Sequence, residues 1–306
     1  MEVDNSDLGS RESVVAEVSG DLLGLVTAYK EHLPGARSHA YRDPTDDEAH
    51  GVVASIQTAF LGRESEAVLA LDRIGYDVLL YHDTATLGDH LVVCERPPCG
   101  RCWGLYILNR SPSARNVVVE APHPLHDRLT EELGIAAYLE LDARAFLMAG
   151  AHRYADGYRS PISDMARNPH SVFQRLHEAL TTADTHVVQM HGFCEEDYPG
   201  YPSVLLSSGS PQPHSGLFAL QAAIEARGEP AGVYDGDRWC LLGGLLNPQA
   251  QYTRAIGGRF YHMEHQLALR RDPARRAAVV DALAAHLVGA APTNGDGSRF
   301  AVGASG

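Results

Sequence analysis

Two histidines and an acid crowd the segment Arg115-Asn-Val-Val-Val-Glu-Ala-Pro-His-Pro-Leu-His-Asp-Arg-Leu-Thr130: His123, His126 and Asp127. Imidazole and carboxylate are the donors a catalytic zinc selects. Such a site takes three protein ligands and leaves a fourth position open. His123 and Asp127 are four apart across a Pro-containing turn, so both can face one point. His123 and His126 make a rival His-x-x-His pair, and spacing alone leaves both arrangements open. A third ligand must come from elsewhere. His191, in Gln189-Met-His-Gly-Phe193, ends a separate apolar run and suits that part.

A water activated by a metal needs a base close by. Glu264, in Arg259-Phe-Tyr-His-Met-Glu-His-Gln-Leu-Ala-Leu-Arg270, also ends an apolar run. In a partly dry pocket its carboxyl would rise toward neutrality and could take a proton. The plainer alternative is an exposed strand-end Glu paired with Arg270 or Arg271. Arg128, Arg144, Arg153 and Arg167 lie around these segments and suit an anionic substrate. Ser207-Ser208-Gly209-Ser210 and Cys194 stand in no Gly-x-Ser-x-Gly elbow, so Ser208 is expected to line a pocket rather than to attack. The Gly157–His170 segment is long and polar enough to form a lid, with Ser163 and Asp164 facing the pocket. Cys94-x4-Cys99-x2-Cys102 has the spacing of a plant-type iron–sulfur loop, which needs a fourth Cys such as Cys194 or Cys240. Pro97-Pro98 interrupts it and no further ferredoxin pattern surrounds it. A reduced or locally disulfide-linked loop is expected, with a structural zinc as the middle option.

These residues have to be positioned by regular elements. Val117–Val119 is a β-branched run that reads as a buried strand, and Pro122 and Pro124 end its pairing. Ahead of it, Val14–Leu33 carries helical spacing and Asp46–Phe60 reads as a helix entered through Pro44-Thr45. Ala67–Leu71, Tyr76–His82, His90–Cys94 and Tyr106–Leu108 read as strands of antiparallel hairpins. Behind it, strands at Ala145–Ala149, His186–Met190, Val204–Leu206 and Gly258–Glu264 alternate with helices. Those helices are Leu129–Leu141, Ser171–Leu180, Phe218–Arg227 and Pro273–Leu287. Alternation of this kind predicts an α/β fold: a mostly parallel mixed sheet covered by helices on both faces, with antiparallel hairpins in the N-terminal part. The expected organisation is a helical extension over 1–36, a single domain over 37–290 and a disordered tail over 291–306. Residues 1–13 are also expected to be disordered.

The chain has 306 residues, long enough for a sizeable core in one large domain. Its net charge of −14 argues against nucleic acid or an anionic membrane as the main partner. Five cysteines is an odd count for a disulfide framework, and the acidic start is no signal peptide, so a cytoplasmic location is expected.

A strand-borne His with a nearby acid, a second strand-end His, then a strand-end Glu before a final helix resembles the order in zinc carboxypeptidases. The closer likeness is to the wider phosphorylase/hydrolase-like group, with its poly-γ-glutamate hydrolases, N-formylglutamate amidohydrolases and succinylglutamate desuccinylases. It spans about residues 115–288 and includes Pro-His-Pro-Leu-x-Asp-x-x-Thr, Gly-x-His-Arg and Gln-x-His-Gly-Phe segments that are similar to an uncharacterised bacterial branch. The resemblance implies Zn2+ bound by His123, Asp127 and His191, with Glu264 as general base and Arg153 polarising the scissile carbonyl. It also implies a hydrolase of an amide or peptide bond in a small molecule or short peptide. The chain departs from the carboxypeptidase pattern in two places. The acid is Asp rather than Glu and sits one residue later, and the Asn-Arg pair that grips a substrate carboxylate is represented only by Asn247 with Arg254. These departures leave a second expectation, a non-catalytic metal- or small-ligand-binding module on the same scaffold.

Overall fold

The computed structural model describes residues 15–288, so the two segments expected to be disordered lie outside the described residues. The chain opens with strand β1 (Ala16–Gly20) and helices α1 (Leu22–Lys30), α2 (Asp46–Phe60) and α3 (Glu64–Arg73). Strands β2 (Tyr76–Asp83), β3 (Asp89–Glu95), β4 (Leu105–Asn109) and β5 (Arg115–Ala121) follow. Then come α4 (Thr130–Glu140), β6 (Ala143–Met148), α5 (Val172–Leu180), β7 (His186–Phe193) and β8 (Val204–Ser207). The chain continues through α6 (Ser215–Glu225), β9 (Ala231–Val233), α7 (Pro248–Ala255) and β10 (Arg259–Gln266), and finishes with α8 (Leu267–Arg271) and α9 (Pro273–Val288).

The ten strands of the described residues form one sheet in the order β1-β2-β3-β4-β6-β5-β7-β10-β8-β9. Its centre, β6-β5-β7-β10, is parallel throughout. β2-β3-β4 is the antiparallel meander expected of the first half. Successive strand residues feed two apolar clusters. Val117, Val119 and Ala121 join Phe146, Met190 and Met263 with α1, α4, α6 and α9 on one face. Val118 joins Ala145, Val187 and Phe260 with α2, α3 and α5 on the other. This period of two is why both faces had to be covered by helices.

Local chemistry sets several boundaries. Thr45 and Glu48 form a reciprocal capping box at the start of α2, satisfying two orphan N–H groups. Ser171 caps α5 by accepting from the Gln174 N–H. Two expectations are overturned. Ala16–Gly20 is an edge strand parallel to β2, not helix, and only Leu22–Lys30 of the Val14–Leu33 stretch is helical. Ala67–Leu71 belongs to α3: Ala67, Val68 and Leu71 are buried while Leu69 is half-exposed, a helical stripe hidden in a short apolar run. No helix among the described residues is long and apolar enough to cross a membrane.

The connection after β5 leads to α4 on one face, and that after β6 leads to α5 on the other. The two loops therefore diverge at the carboxyl ends of adjacent parallel strands. That is where an open α/β sheet forms a crevice.

Candidate metal centre and active site

In the turn that follows β5, the His123 carbonyl accepts from the His126 N–H at 3.1 Å and the Asp127 N–H at 2.8 Å. One tight turn thus puts side chains 123 and 127 on the same side, as in a helix. His191 arrives from the end of β7. The three side chains are buried, and one ligand atom from each lies within 4.8 Å of the others. Among the described residues this is the group of His, Cys and acid side chains that could hold a metal ion.

Asp127 is the hub. Its Oδ2 lies 3.1 Å from His123 Nδ1 and 3.2 Å from His191 Nδ1, while its Oδ1 takes His126 Nδ1 at 2.7 Å. Ligand atoms about 2.0–2.1 Å from a tetrahedral zinc stand roughly 3.3 Å apart, so the two Nδ1–Oδ2 separations suit that ion. The far nitrogens of both histidines are occupied. His123 Nε2 faces Asp164 Oδ1 at 2.8 Å, and His191 Nε2 faces Gln189 Oε1 at 2.7 Å. The Gln189 amide cannot be turned around. Asn247 Oδ1 accepts from the Ala250 N–H, which leaves Asn247 Nδ2 to donate to Gln189 Oε1 at 2.5 Å. Gln189 Nε2 in turn donates to Glu120 Oε2 at 2.9 Å. His191 must therefore donate through Nε2, which leaves a bare lone pair on Nδ1. This is the arrangement in which outer hydrogen bonds orient metal-binding imidazoles.

The charges follow from the packing. Burial and the Arg153 guanidinium lower the His123 pKa, but Asp164 and Asp127 outweigh them and leave it raised. Burial opposes charge on Asp127, yet the charge on His123 and the hydrogen bonds from His123 and His126 hold its carboxyl well below the usual range. His191 is pushed down to about 4 by burial first, then by His262. With no metal bound, His123 therefore keeps its second proton to higher pH than a free imidazole does, while His191 presents a bare nitrogen.

Glu264 on β10 is the register partner of His191 on β7, so their Cα atoms are neighbours and their side chains share a face. Its Oε1 lies 3.3 Å from His262 Nε2, and its buried Oε2 has no hydrogen-bond partner among the described residues. Arg153 donates from Nε and Nη2 to Asp164 Oδ2 at 3.1 and 2.6 Å, and its Nη1 lies 3.4 Å from His123 Nδ1. All these groups except Asp164 line one cavity of about 1040 Å³.

The other expected site residues fall out differently. Asn247 lines the cavity but is committed as the cap of α7 and to Gln189. Arg254 and Ser208 do not line it. The Arg254 guanidinium holds the Ser208 and Gly209 carbonyls at 2.9 Å, and the Ser208 hydroxyl turns back to its own loop. The Asn247–Arg254 pair is therefore a device for fixing α7 against the end of β8. Arg144 sits at the other end of β6, bonded to the Leu180 carbonyl, whereas Arg128, Arg153 and Arg167 reach the cavity. The expected lid is pinned rather than free. Asp164 bonds to His123 and Arg153, and Asn168 bonds to Asp43 and Ile162. Cys94 packs in one apolar cluster and Cys102 in the other, so the sheet separates them.

Three groups escaped sequence reasoning. Gln189 and His262 precede His191 and Glu264 by two positions, the spacing that puts them on the same strand face. Arg270, expected at most as a partner for Glu264, is buried. It donates to the His265 and Phe193 carbonyls at 3.1 Å and also to the Arg128 carbonyl. Gly192 admits it: a Cβ there would lie 2.3 Å from the guanidinium carbon.

The two candidate ligands in the Pro-His-Pro-Leu-His-Asp turn can be separated by experiment. Asp127→Ala is expected to lose bound zinc, because it removes the atom both Nδ1 groups face. His126→Ala, which touches only the other carboxylate oxygen, should keep zinc within a few-fold of wild-type affinity. Metal analysis after dialysis reads the difference, and the reverse pattern would reassign the ligands to His123 and His126.

Comparison with known proteins finds no matching family model and no matching curated protein. Solved structures give fold-level likenesses. An aspartoacylase family protein from Mesorhizobium loti is 12% identical with a TM-score of 0.39, covering 74% of this chain and 70% of that one. The aminopeptidase LapA of Legionella pneumophila is 12% identical with a TM-score of 0.38, covering 87% and 71%. A carboxypeptidase candidate of Burkholderia mallei is 13% identical with a TM-score of 0.40, covering 74% and 68%.

Proposed function

We propose that the chain is a zinc-dependent hydrolase of an amide or peptide bond in a small anionic substrate. The observation that supports this most is the convergence of two imidazole nitrogens and a carboxylate oxygen, with the opposite imidazole nitrogens tied to Asp164 and Gln189. Two nitrogens and one carboxylate are a zinc donor set with a position to spare. Zinc held by His123, Asp127 and His191 would supply Lewis acidity and bring the pKa of a water molecule close to 7. Glu264, whose buried Oε2 has no partner among the described residues, takes the proton as the water oxygen adds to the carbonyl carbon. The carbon–nitrogen bond then breaks, and the same proton passes to the departing amine. Arg153 keeps Nε and Nη2 on Asp164 and has Nη1 on the cavity side to meet the developing oxyanion. A Glu264 lying apart from His123, Asp127 and His191 would have favoured the binding-module alternative. Glu264 instead lines the same cavity, beside His191.

Zinc titration tests the reading. The chelator-stripped chain is expected to take up one zinc, with an affinity that falls as the pH falls. The sign follows from the protons to be displaced. The pKa of His123 is raised above its ordinary 6.5, so it still holds a proton at that pH, whereas His191 is already neutral above about 4 and Asp127 is ionised. Between about pH 5 and 6.5 one proton leaves per zinc, so affinity should drop about tenfold per pH unit. A folded chain that takes up no zinc overturns the proposal. A slope of two protons overturns the assignment of charges.

A further inference from the structure

The cavity over the metal cluster has two unlike walls. On the side of α4 and α9 stand Arg128, Arg270 and Arg271. Arg270 is locked to backbone carbonyls and makes no direct ion pair among the described residues, although the Asp127 and Glu264 charges act on it. Arg128 and Arg271 are exposed, and their side chains make no ion pair or hydrogen bond among the described residues. On the opposite side, the loop entering α7 brings Leu241, Leu245 and Leu246 to the cavity, with exposures of 55%, 42% and 65%. Two glycines between them press the loop down. A Cβ on Gly243 would lie 2.5 Å from the Tyr234 ring. Gly244, at φ +63°, packs on His262 with space for a Cβ only at 3.0 Å. The backbone is held low at the glycines, and the flanking leucines are left standing at the mouth. Large apolar side chains gathered and exposed at a cavity rim are a binding surface waiting for apolar contact.

We propose that the substrate is a medium-chain N-acyl amino acid, with its aliphatic acyl chain on the leucine wall and the carboxylate of its amine half on the arginine wall. The direction rests on the hydrolase reading above. The departing nitrogen has to be within reach of Glu264, and the Arg270 guanidinium on α8 is close enough to Glu264 for the two charges to attract. The anionic half therefore belongs with the amine. The hydrolysis balances simply: water adds to the acyl carbon, the amide bond breaks, and a fatty acid and a free amino acid leave.

The binding arm of the test is independent of turnover. Calorimetry on the metal-stripped full chain would compare N-acetyl-, N-butanoyl- and N-octanoyl-L-glutamate. Affinity is expected to rise about twofold per methylene, a discounted gain because the wall covers one side of the chain. That is roughly fiftyfold from acetyl to octanoyl. The dimethyl ester of N-octanoyl-glutamate, which lacks both charges, should bind at least tenfold more weakly than the diacid. Leu241→Ser/Leu245→Ser/Leu246→Ser alters exposed side chains and should collapse the octanoyl-to-acetyl ratio below fivefold. Equal binding of acetyl and octanoyl compounds, or of ester and diacid, overturns the proposal even if the zinc-loaded chain hydrolyses amides. A strong chain-length preference without any turnover keeps the walls and removes the hydrolase. Preferred hydrolysis of N-octylsuccinamate, which has the same two ends and a reversed amide, overturns the orientation.

Discussion

Glu264→Gln is expected to lower turnover of a confirmed amide substrate by roughly two to four orders of magnitude, while zinc content and the unfolding midpoint stay at wild-type values. Gln matches Glu in size and still fills the space beside His262, but it cannot take a proton. The group stands next to His191 in register, yet lies outside the ligand cluster, so metal should be retained. Its Oε2 stands in the cavity wall without a hydrogen-bond partner among the described residues, which leaves it open to a reacting molecule. Steady-state kinetics with parallel metal analysis reads the outcome. A wild-type rate removes Glu264 from the mechanism. Joint loss of zinc and activity makes it a ligand instead of a base.

Gln189→Leu is expected to weaken zinc binding by 10- to 100-fold, although residue 189 touches no metal ligand atom on the cavity side. The amide accepts from His191 Nε2 and Asn247 Nδ2 and donates to Glu120 Oε2 and Gln249 Oε1. Glu120 is itself bonded at 2.7 Å to His177, whose other nitrogen meets Thr253, so the chain of contacts runs from the metal cluster into α5 and α7. Leu supplies similar volume but neither donor nor acceptor. His191 is then free to place its proton on Nδ1, where the metal should be. Several buried polar atoms lose partners at once, at about 1–3 kcal/mol each, so a stability loss of a few kcal/mol should accompany the change. Competition with a chromophoric chelator measures the first effect and urea unfolding the second. If the variant fails to fold, Asn247→Ala removes one hydrogen bond to the same oxygen and should show a smaller loss of affinity. Unchanged zinc affinity in a folded Gln189→Leu protein would show that His191 is oriented by other means.

The turn that carries His123 and Asp127, the strand end that carries His191 and the central parallel sheet were legible because each has a local signal: a β-branched run, a pair of prolines, or an apolar strand stopped by a polar tip. The signals that failed were ambiguous over short windows. Val68-Leu69-Ala70-Leu71 is apolar enough for a strand, and only the burial of Val68 and Leu71 with Leu69 outward reveals the helix. Asn247-Pro248 was read as half of a substrate grip, yet Asn followed by Pro is also a helix N-cap followed by N1, and the fold uses it so. Arg254 matches the substrate grip only in residue type, and its guanidinium is claimed by carbonyls of a loop more than forty residues earlier. Asp164 could be named as a pocket residue, but its bond to His123 spans 41 positions and has no counterpart in local sequence. Contacts that close over long separations decide the second layer of such a site, and no window of neighbouring residues contains them.

The alternation of the central strands divides the sheet by parity. On β5 the odd positions 117, 119 and 121 face one apolar layer, as do 188 and 190 on β7 and 261 and 263 on β10. The opposite parity, Glu120, Gln189, His191, His262 and Glu264, is polar from the middle of the strands to their tips. One surface of the same three strands is therefore the foundation and the other the workbench. A methylene trimmed from Val119 or Met263 should be felt in stability alone, whereas a one-residue deletion in the turn before β10 would exchange the two surfaces. His265, now on the foundation side, would then face the cavity, and Glu264 would be buried among the leucines and valines of the α4–α9 layer. The candidate site is thus tied to the register: a slip that spoiled it would also bury charge in the core and cost the fold its stability.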